Sequence, residues 1–289
     1  GAWASGTPFN TGRAQLGCAG DTSTAVIFGG DQGAPAVALV ESWNGTAWTE
    51  VQNLPAGTFR ATGLGTATAA MSVGGTPTPT VGAVAVKWDG TSWAATNSLN
   101  NARASMGGSG TQTAGMVFGG GDYTDYTEEF DGTCWSEEAD LNGPARMAGA
   151  PSSKGTTTAS MYSGGETGPS PATRAADESE TWNGTSWSEG NDLNTARKCG
   201  GSGITTAAMA YGGGSPALGP RVALTEVYDG TSWSEGADLA TAVVWNGGLG
   251  GGSTSAFCVG GSSAAYVDTS SNAESWADPS YTIKTVTVS

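Results

Sequence analysis

The chain contains no histidine. That removes the usual zinc and copper ligand and the commonest general base. Positive charge is scarce: 11 Lys and Arg stand against 26 Asp and Glu, a formal net charge of −15. A surface this acidic offers no field for phosphate backbones, so nucleic acid is not an expected partner. No apolar run approaches the length of a membrane span, so no membrane insertion is expected. The four cysteines, Cys18, Cys134, Cys199 and Cys258, form no CxxC pair. They read as small apolar residues rather than a disulfide or metal framework. No nucleophile elbow or phosphate loop occurs. The acids Asp122, Asp125, Asp177 and Glu178 lack calcium-loop spacing and read as surface charge. The expectation is a chain without metal or cofactor.

What is abundant is glycine, 48 of 289 residues, together with 11 tryptophans. The glycine alone would suit a disordered chain, but tryptophan carries more apolar area than such a chain has reason to hold. Both residues repeat. The hexapeptides WNGTAW (Trp43–Trp48), WDGTSW (Trp88–Trp93), FDGTCW (Phe130–Trp135), WNGTSW (Trp182–Trp187) and YDGTSW (Tyr228–Trp233) share one pattern, and Trp276 opens a degenerate sixth. A short apolar run ends in Gly-Gly six times, at Gly30, Gly75, Gly120, Gly165, Gly213 and Gly261 for the second glycine. Six copies of 45 to 48 residues, each too small to bury its own faces, indicate a closed repeat architecture.

Each copy reads as four short strands. A Gly/Ala segment such as Ala104–Gly108 forms strand a, the run into Gly-Gly strand b, and the two aromatics end strand c and begin strand d. Asn-Gly or Asp-Gly between c and d predicts a two-residue type I′ hairpin, pairing Trp43 with Thr46 and Glu41 with Trp48 on one face. Both aromatics then glue one blade to the next. Trp3 lies 45 residues before Trp48, and Trp3 to Arg13 is ten residues, as Trp93 to Arg103 is. Residues 2–9 therefore read as a strand d whose strand c is the one ending at Trp276. The prediction is an all-β, six-bladed β-propeller, one domain over 1–289, with the N-terminal strand closing the last blade. The blades fall at about 10–54, 55–99, 100–141, 142–193, 194–239 and 240–276 plus 1–9. The alternating tail 277–289 reads as an extra C-terminal strand.

The pattern resembles the kelch repeat over essentially the whole chain. Copy three shows it as Gly119-Gly120, Glu128, Phe130, Trp135, Leu141 and Arg146. The resemblance implies a kelch-like propeller of the galactose-oxidase central-domain type. The copper chemistry of that type uses histidine and is not carried over. The Gly-Thr-Ser-Trp version is similar in style to repeats of bacteriophage and environmental viral structural proteins.

Propeller topology puts the b–c and d–a loops on one face. The b–c loops vary in length and content, which is where a repeat scaffold can host a binding site. Tyr123, Tyr126 and Tyr266 are its aromatic candidates and Arg174 and Arg221 its cations. Trp245 is the tryptophan outside the hairpins, placed at the channel mouth. An arginine recurs at the d–a junction (Arg13, Arg60, Arg103, Arg146, Arg197), with Val243 in copy six. These channel-mouth arginines suit an anion or an acidic peptide, or else pair internally with the repeated glutamates Glu41, Glu128, Glu180, Glu226 and Glu274; copy two has Val86 in place of the glutamate. The sequence therefore points to a non-catalytic structural or adhesion module of a virion or other extracellular assembly, of tail-fibre or capsid-decoration type. It would contact a glycan or host-surface receptor and other structural subunits, including copies of itself. A kelch-type adaptor for acidic peptides and a carbohydrate-active enzyme are the alternatives.

Overall fold

The computed structural model describes every residue except 34, 78–80, 122, 144–149, 152–153, 169–174, 216–220, 263–268 and 279–289. Its strands form six four-stranded antiparallel sheets. β1 is Ala2–Ser5. Blade 1 holds β2–β5 (Gly17–Gly20, Ala25–Phe28, Val40–Trp43, Trp48–Glu50), and blade 2 holds β6–β9 (Thr62–Thr66, Ala69–Val73, Ala85–Trp88, Trp93–Thr96). Blade 3 holds β10–β13 (Gly107–Gly110, Gly115–Phe118, Thr127–Phe130, Trp135–Glu137), and blade 4 holds β14–β17 (Ala150–Pro151, Ser160–Glu166, Ala175–Trp182, Trp187–Glu189). Blade 5 holds β18–β21 (Lys198–Ile204, Ala207–Gly214, Thr225–Tyr228, Trp233–Glu235). Blade 6 holds β22–β24 (Gly247–Gly252, Ser255–Val259, Ala273–Ala277) and takes β1 as its outer strand, with Trp3 directly opposite Trp276. The inner strands β2, β6, β10, β14, β18 and β22 touch one another in a closed ring. The fold is a six-bladed β-propeller closed by its own first strand. The predicted extra C-terminal strand lies outside the described residues beyond Asp278.

Glycine lets the inner strands approach so closely. A Cβ on Gly63 would lie 2.0 Å from the Cys18 carbonyl oxygen, and one on Gly248 would lie 2.4 Å from that of Gly201. The Gly-Gly pairs answer a different need. Both residues of each pair have positive φ, about +60° for the first and +85° to +117° for the second, which costs glycine little. The turn aims the second N–H at the loop entering the next blade. Gly30 donates to Thr58 O at 2.8 Å, Gly75 to Arg103 O at 2.9 Å, Gly165 to Arg197 O at 2.9 Å and Gly261 to Arg13 O at 3.0 Å. Each of these blades thus clasps its successor beside the axis.

The hexapeptide clasps in the opposite direction at the rim. Trp43 pairs with Trp48, not with Thr46, and Glu41 with Glu50. The expected two-residue type I′ turn is replaced by a four-residue loop. Its reason is the Asx side chain: Asn44 Oδ1 accepts from the N–H groups of Thr46 and Ala47, both at 2.9 Å, and Asp89, Asp131, Asn183 and Asp229 repeat the arrangement. Only the glycine then needs positive φ. Because the slip is two residues, the aromatics keep their predicted face. Strand a of blade 3 is also shifted, from the expected Ala104–Gly108 to Gly107–Gly110, since Ser105 turns out of the strand at φ 56°.

The two aromatics of each hairpin stack tilted at 5.0 to 5.5 Å, and Trp3 meets Trp276 at 5.6 Å. Their indole N–H groups work differently. The first tryptophan bonds the a–b loop of its own blade (Trp43 to Thr22 O, Trp88 to Ala67 O, Trp182 to Thr157 O). The second reaches back to the preceding blade or the chain leaving it: Trp48 to Thr7 O, Trp93 to Gln52 O, Trp135 to Asn97 O, Trp187 to Thr127 Oγ1, Trp233 to Ser179 Oγ and Trp3 to Thr225 Oγ1. The first position, whose bond stays within the blade, carries Phe130 and Tyr228 in two blades, whereas the second, whose bond crosses the seam, is tryptophan in all six. Trp187→Phe keeps the packing against Phe118 (4.9 Å) but leaves the buried Thr127 hydroxyl without its donor. We expect a loss of about 1–3 kcal/mol in urea unfolding; an unchanged midpoint would reduce the indole N–H to a bystander.

Candidate functional site

The d–a loops carry the repeated arginine and strand c the repeated glutamate, and the structure separates the arginines into two groups. Arg13, Arg103 and Arg197 are fully buried and ion-paired within their blades to Glu41 (3.2 Å), Glu128 (2.7 Å) and Glu226. Burial pushes the Arg13 and Arg103 guanidinium pKa values down, and the partner carboxylates oppose that shift. The glutamates also accept backbone N–H bonds from the entering loop, as from Asn10 (2.7 Å), Asn100 (2.8 Å), Asn142 (2.7 Å) and Asn194 (2.7 Å). Three of the five expected mouth arginines are therefore internal braces with no reach to a ligand. Arg146 lies outside the described residues.

Arg60 is not their counterpart. Thr58, whose carbonyl meets Gly30, holds the brace position in blade 2, and Pro55 and Val86 replace the asparagine and the glutamate there. All three members of the brace are absent together, which avoids an unpaired buried charge. Arg60 sits two residues later, at the mouth. Arg103→Thr should cost about 3–5 kcal/mol in chemical denaturation. Adding Glu128→Val, the solution blade 2 already uses, should recover part of that loss.

In blades 1, 2, 3 and 6 the residue two after the brace position forms the mouth. Gln15, Arg60, Ser105 and Trp245 all adopt left-handed φ of 56° to 59°. They are joined around the axis by backbone bonds: Gln15 N–H to Trp245 O (3.0 Å), Arg60 N–H to Gln15 O (2.7 Å) and Ser105 N–H to Arg60 O (2.9 Å). The Arg60 Nε–H also donates to Gln15 Oε1. Tyr123, the fifth non-glycine residue with positive φ among those described, lies in the blade 3 b–c loop on the same face. Apart from Tyr123, every other positive-φ position among the described residues is glycine. Here the chain keeps four chemically different side chains, in a conformation that costs a non-glycine residue of the order of 1 kcal/mol. Such strain concentrates at binding sites.

Two cavities open here and share Gln15 and Trp245. An axial one of about 150 Å³ is lined by Cys18, Cys199, Arg60, Lys198 and the inner-strand glycines. A cleft of about 350 Å³ lies over blade 1, between Trp245 of blade 6 and Phe59 of blade 2, with Asp31, Pro35, Ser262 and Thr269 on its walls. Asp31 is the acid of the cleft, and burial raises its pKa against the opposing pull of Arg60. Burial raises the Cys18 thiol to about 12, which keeps it protonated and unreactive at neutral pH. Three aromatic rings on this face each carry a cation over one side: Arg60 over Phe59 (5.3 Å), Lys198 over Trp245 (5.5 Å) and Arg103 over Tyr126 (5.9 Å).

Of the residues expected from sequence, Trp245 lies at the centre of the site and Arg60 on its rim. Tyr126 is 42% exposed on the same face, and Tyr123 is half-buried beside it. Arg221 is half-buried and precedes Val222, which bridges to Val243. Arg174 and Tyr266 lie outside the described residues. Gln15, Asp31, Phe59 and Lys198 escaped the sequence reading. Counting from the preceding hairpin tryptophan would have found the first: Gln15, Arg60, Ser105 and Trp245 each stand twelve residues after Trp3, Trp48, Trp93 and Trp233.

No protein-family model matches the chain, and no curated protein matches it. Among solved structures, the one described as "Structure of YjhT" is similar over 93% of this chain and 96% of that chain, with a TM-score of 0.73 and 14% sequence identity. At that identity the likeness establishes the propeller fold alone. The same comparison matches 285 chains, too broad a set for the fold to name a ligand. Ser105→Gly should raise stability by about 1 kcal/mol in urea unfolding by relieving the left-handed strain; a loss would show that the serine side chain is itself structural.

Proposed function

We propose that this propeller is a non-catalytic recognition module that binds glycan through its b–c and d–a loop face. The observation that carries the reading is the strained ring of Gln15, Arg60, Ser105 and Trp245, kept free of glycine in a chain that uses glycine freely. The cleft beside it matches what a sugar needs. Trp245 and Phe59 offer flat apolar faces, and Asp31 and Gln15 offer hydrogen-bond acceptors and donors for ring hydroxyls. Its volume lies at the small end of ligand pockets, enough for one sugar unit at a time.

The context we propose is a virion or other extracellular assembly, of tail-fibre or capsid-decoration type, in which the module meets a glycan or host-surface receptor. Support comes from the low lysine content, the Gly/Ser/Thr-rich composition and the style of the kelch-like repeats. The adaptor reading is weakened by the burial of Arg13, Arg103 and Arg197, which leaves Arg60 alone of the described repeat arginines to meet an acidic peptide.

Trp245→Gly removes the central ring and suits the local φ. Glycan-array binding should disappear while the thermal midpoint holds or rises. Retained binding would move the site elsewhere, and sugar turnover by the native protein would replace a recognition module with an enzyme.

A further inference from the structure

Resting on the glycan reading, we infer that the ligand is an oligosaccharide, lying across the mouth from the Trp245–Phe59 cleft to Tyr126, and not a single sugar. Three observations lead there. First, the aromatic platforms are two separate stations. Trp245 and Phe59 wall the cleft that lies over blade 1, whereas Tyr126 belongs to blade 3 and is held through its carbonyl by Arg103 Nη1–H at 2.8 Å. The cation over one side of each ring fixes its tilt, and the exposed part of Tyr126 remains open for stacking.

Second, the stations are linked by a continuous polar arc. The backbone chain Trp245–Gln15–Arg60–Ser105 takes three hydrogen-bonded steps, and Ser105 follows Arg103, the residue beneath Tyr126. Residues bonded across such a step stand about 5 Å apart, so the arc is about 15 Å along its curve and its ends stand about 10 Å apart across the axis. That exceeds one sugar ring and suits a short chain of them.

Third, the equivalent positions of successive blades differ in chemistry: indole, carboxamide, guanidinium, hydroxyl. A small ligand centred on the axis would meet the blades alike. A chain crossing them meets each blade with a different unit, and only such a ligand makes use of four unlike side chains in order.

The test uses the whole propeller in calorimetry against chito-, cello- and malto-oligosaccharides graded from monosaccharide to hexasaccharide, together with the same grading of the best array ligand. Affinity should climb at least tenfold from monosaccharide to tetrasaccharide and then level off. Tyr126→Ala should weaken the tetrasaccharide about five- to tenfold and leave the monosaccharide and disaccharide unchanged. Trp245→Gly should weaken every length. Length-independent affinity, or a Tyr126→Ala variant that binds all lengths as the native chain does, overturns the inference and leaves the glycan reading standing. Failure of every sugar, or binding of a proline-rich peptide in their place, sinks both.

Discussion

The whole molecule hangs on one short segment per blade, the loop that carries the arginine. Its carbonyl receives the Gly-Gly N–H of the preceding blade. Its side chain, where it is arginine, anchors a buried glutamate on strand c of its own blade. One residue therefore fixes both the position of the blade and the path of the chain into it. At the rim the second tryptophan repeats the logic, stacking within its hairpin and donating to the blade before. Where both contacts are described, the seam is held at two radii, and the packed strands between have little freedom left.

Much of this was legible in the sequence because packing contacts must recur in every blade. The spacing of Trp3 from Trp48 disclosed ring closure, and the double glycines counted the blades. What was misread came from side-chain chemistry that periodicity does not encode. Asn44 and Asp89 look like members of a two-residue turn, yet their carboxamide and carboxylate oxygens each accept two backbone N–H groups and lengthen it to four. Arg60 looks like a sister of Arg13, but stands twelve residues after its tryptophan instead of ten.

The site was harder to see for the opposite reason. Structural residues announce themselves by repetition, and binding residues by departing from it. Gln15, Arg60, Ser105 and Trp245 share no residue type, and their kinship appears only when backbone angles are compared. Phe59 and Asp31 reach the cleft from two different connections of the chain and have no common spacing. A rigid scaffold tolerates such variation: the backbone clasps beneath the loops persist, as Arg13, Thr58, Arg103 and Val243 all accept from a Gly-Gly N–H, when the residues above them differ.

Closure of the ring also decides how the molecule would respond to load. β1 runs antiparallel to β24, with Ala2 opposite Ala277, and the terminal amine lies 3.2 Å from Asp278. The described residues Ala2 and Ala277 thus meet at one corner of one blade. Tension applied between residues flanking that corner would peel β1 away one rung at a time, starting at the Ala2–Ala277 pair. The same tension applied to one side only would be shared with the rest of the sheet. Mechanical strength in this propeller is thus a property of the direction of pull, and its weakest direction is built into the place where the circle meets itself.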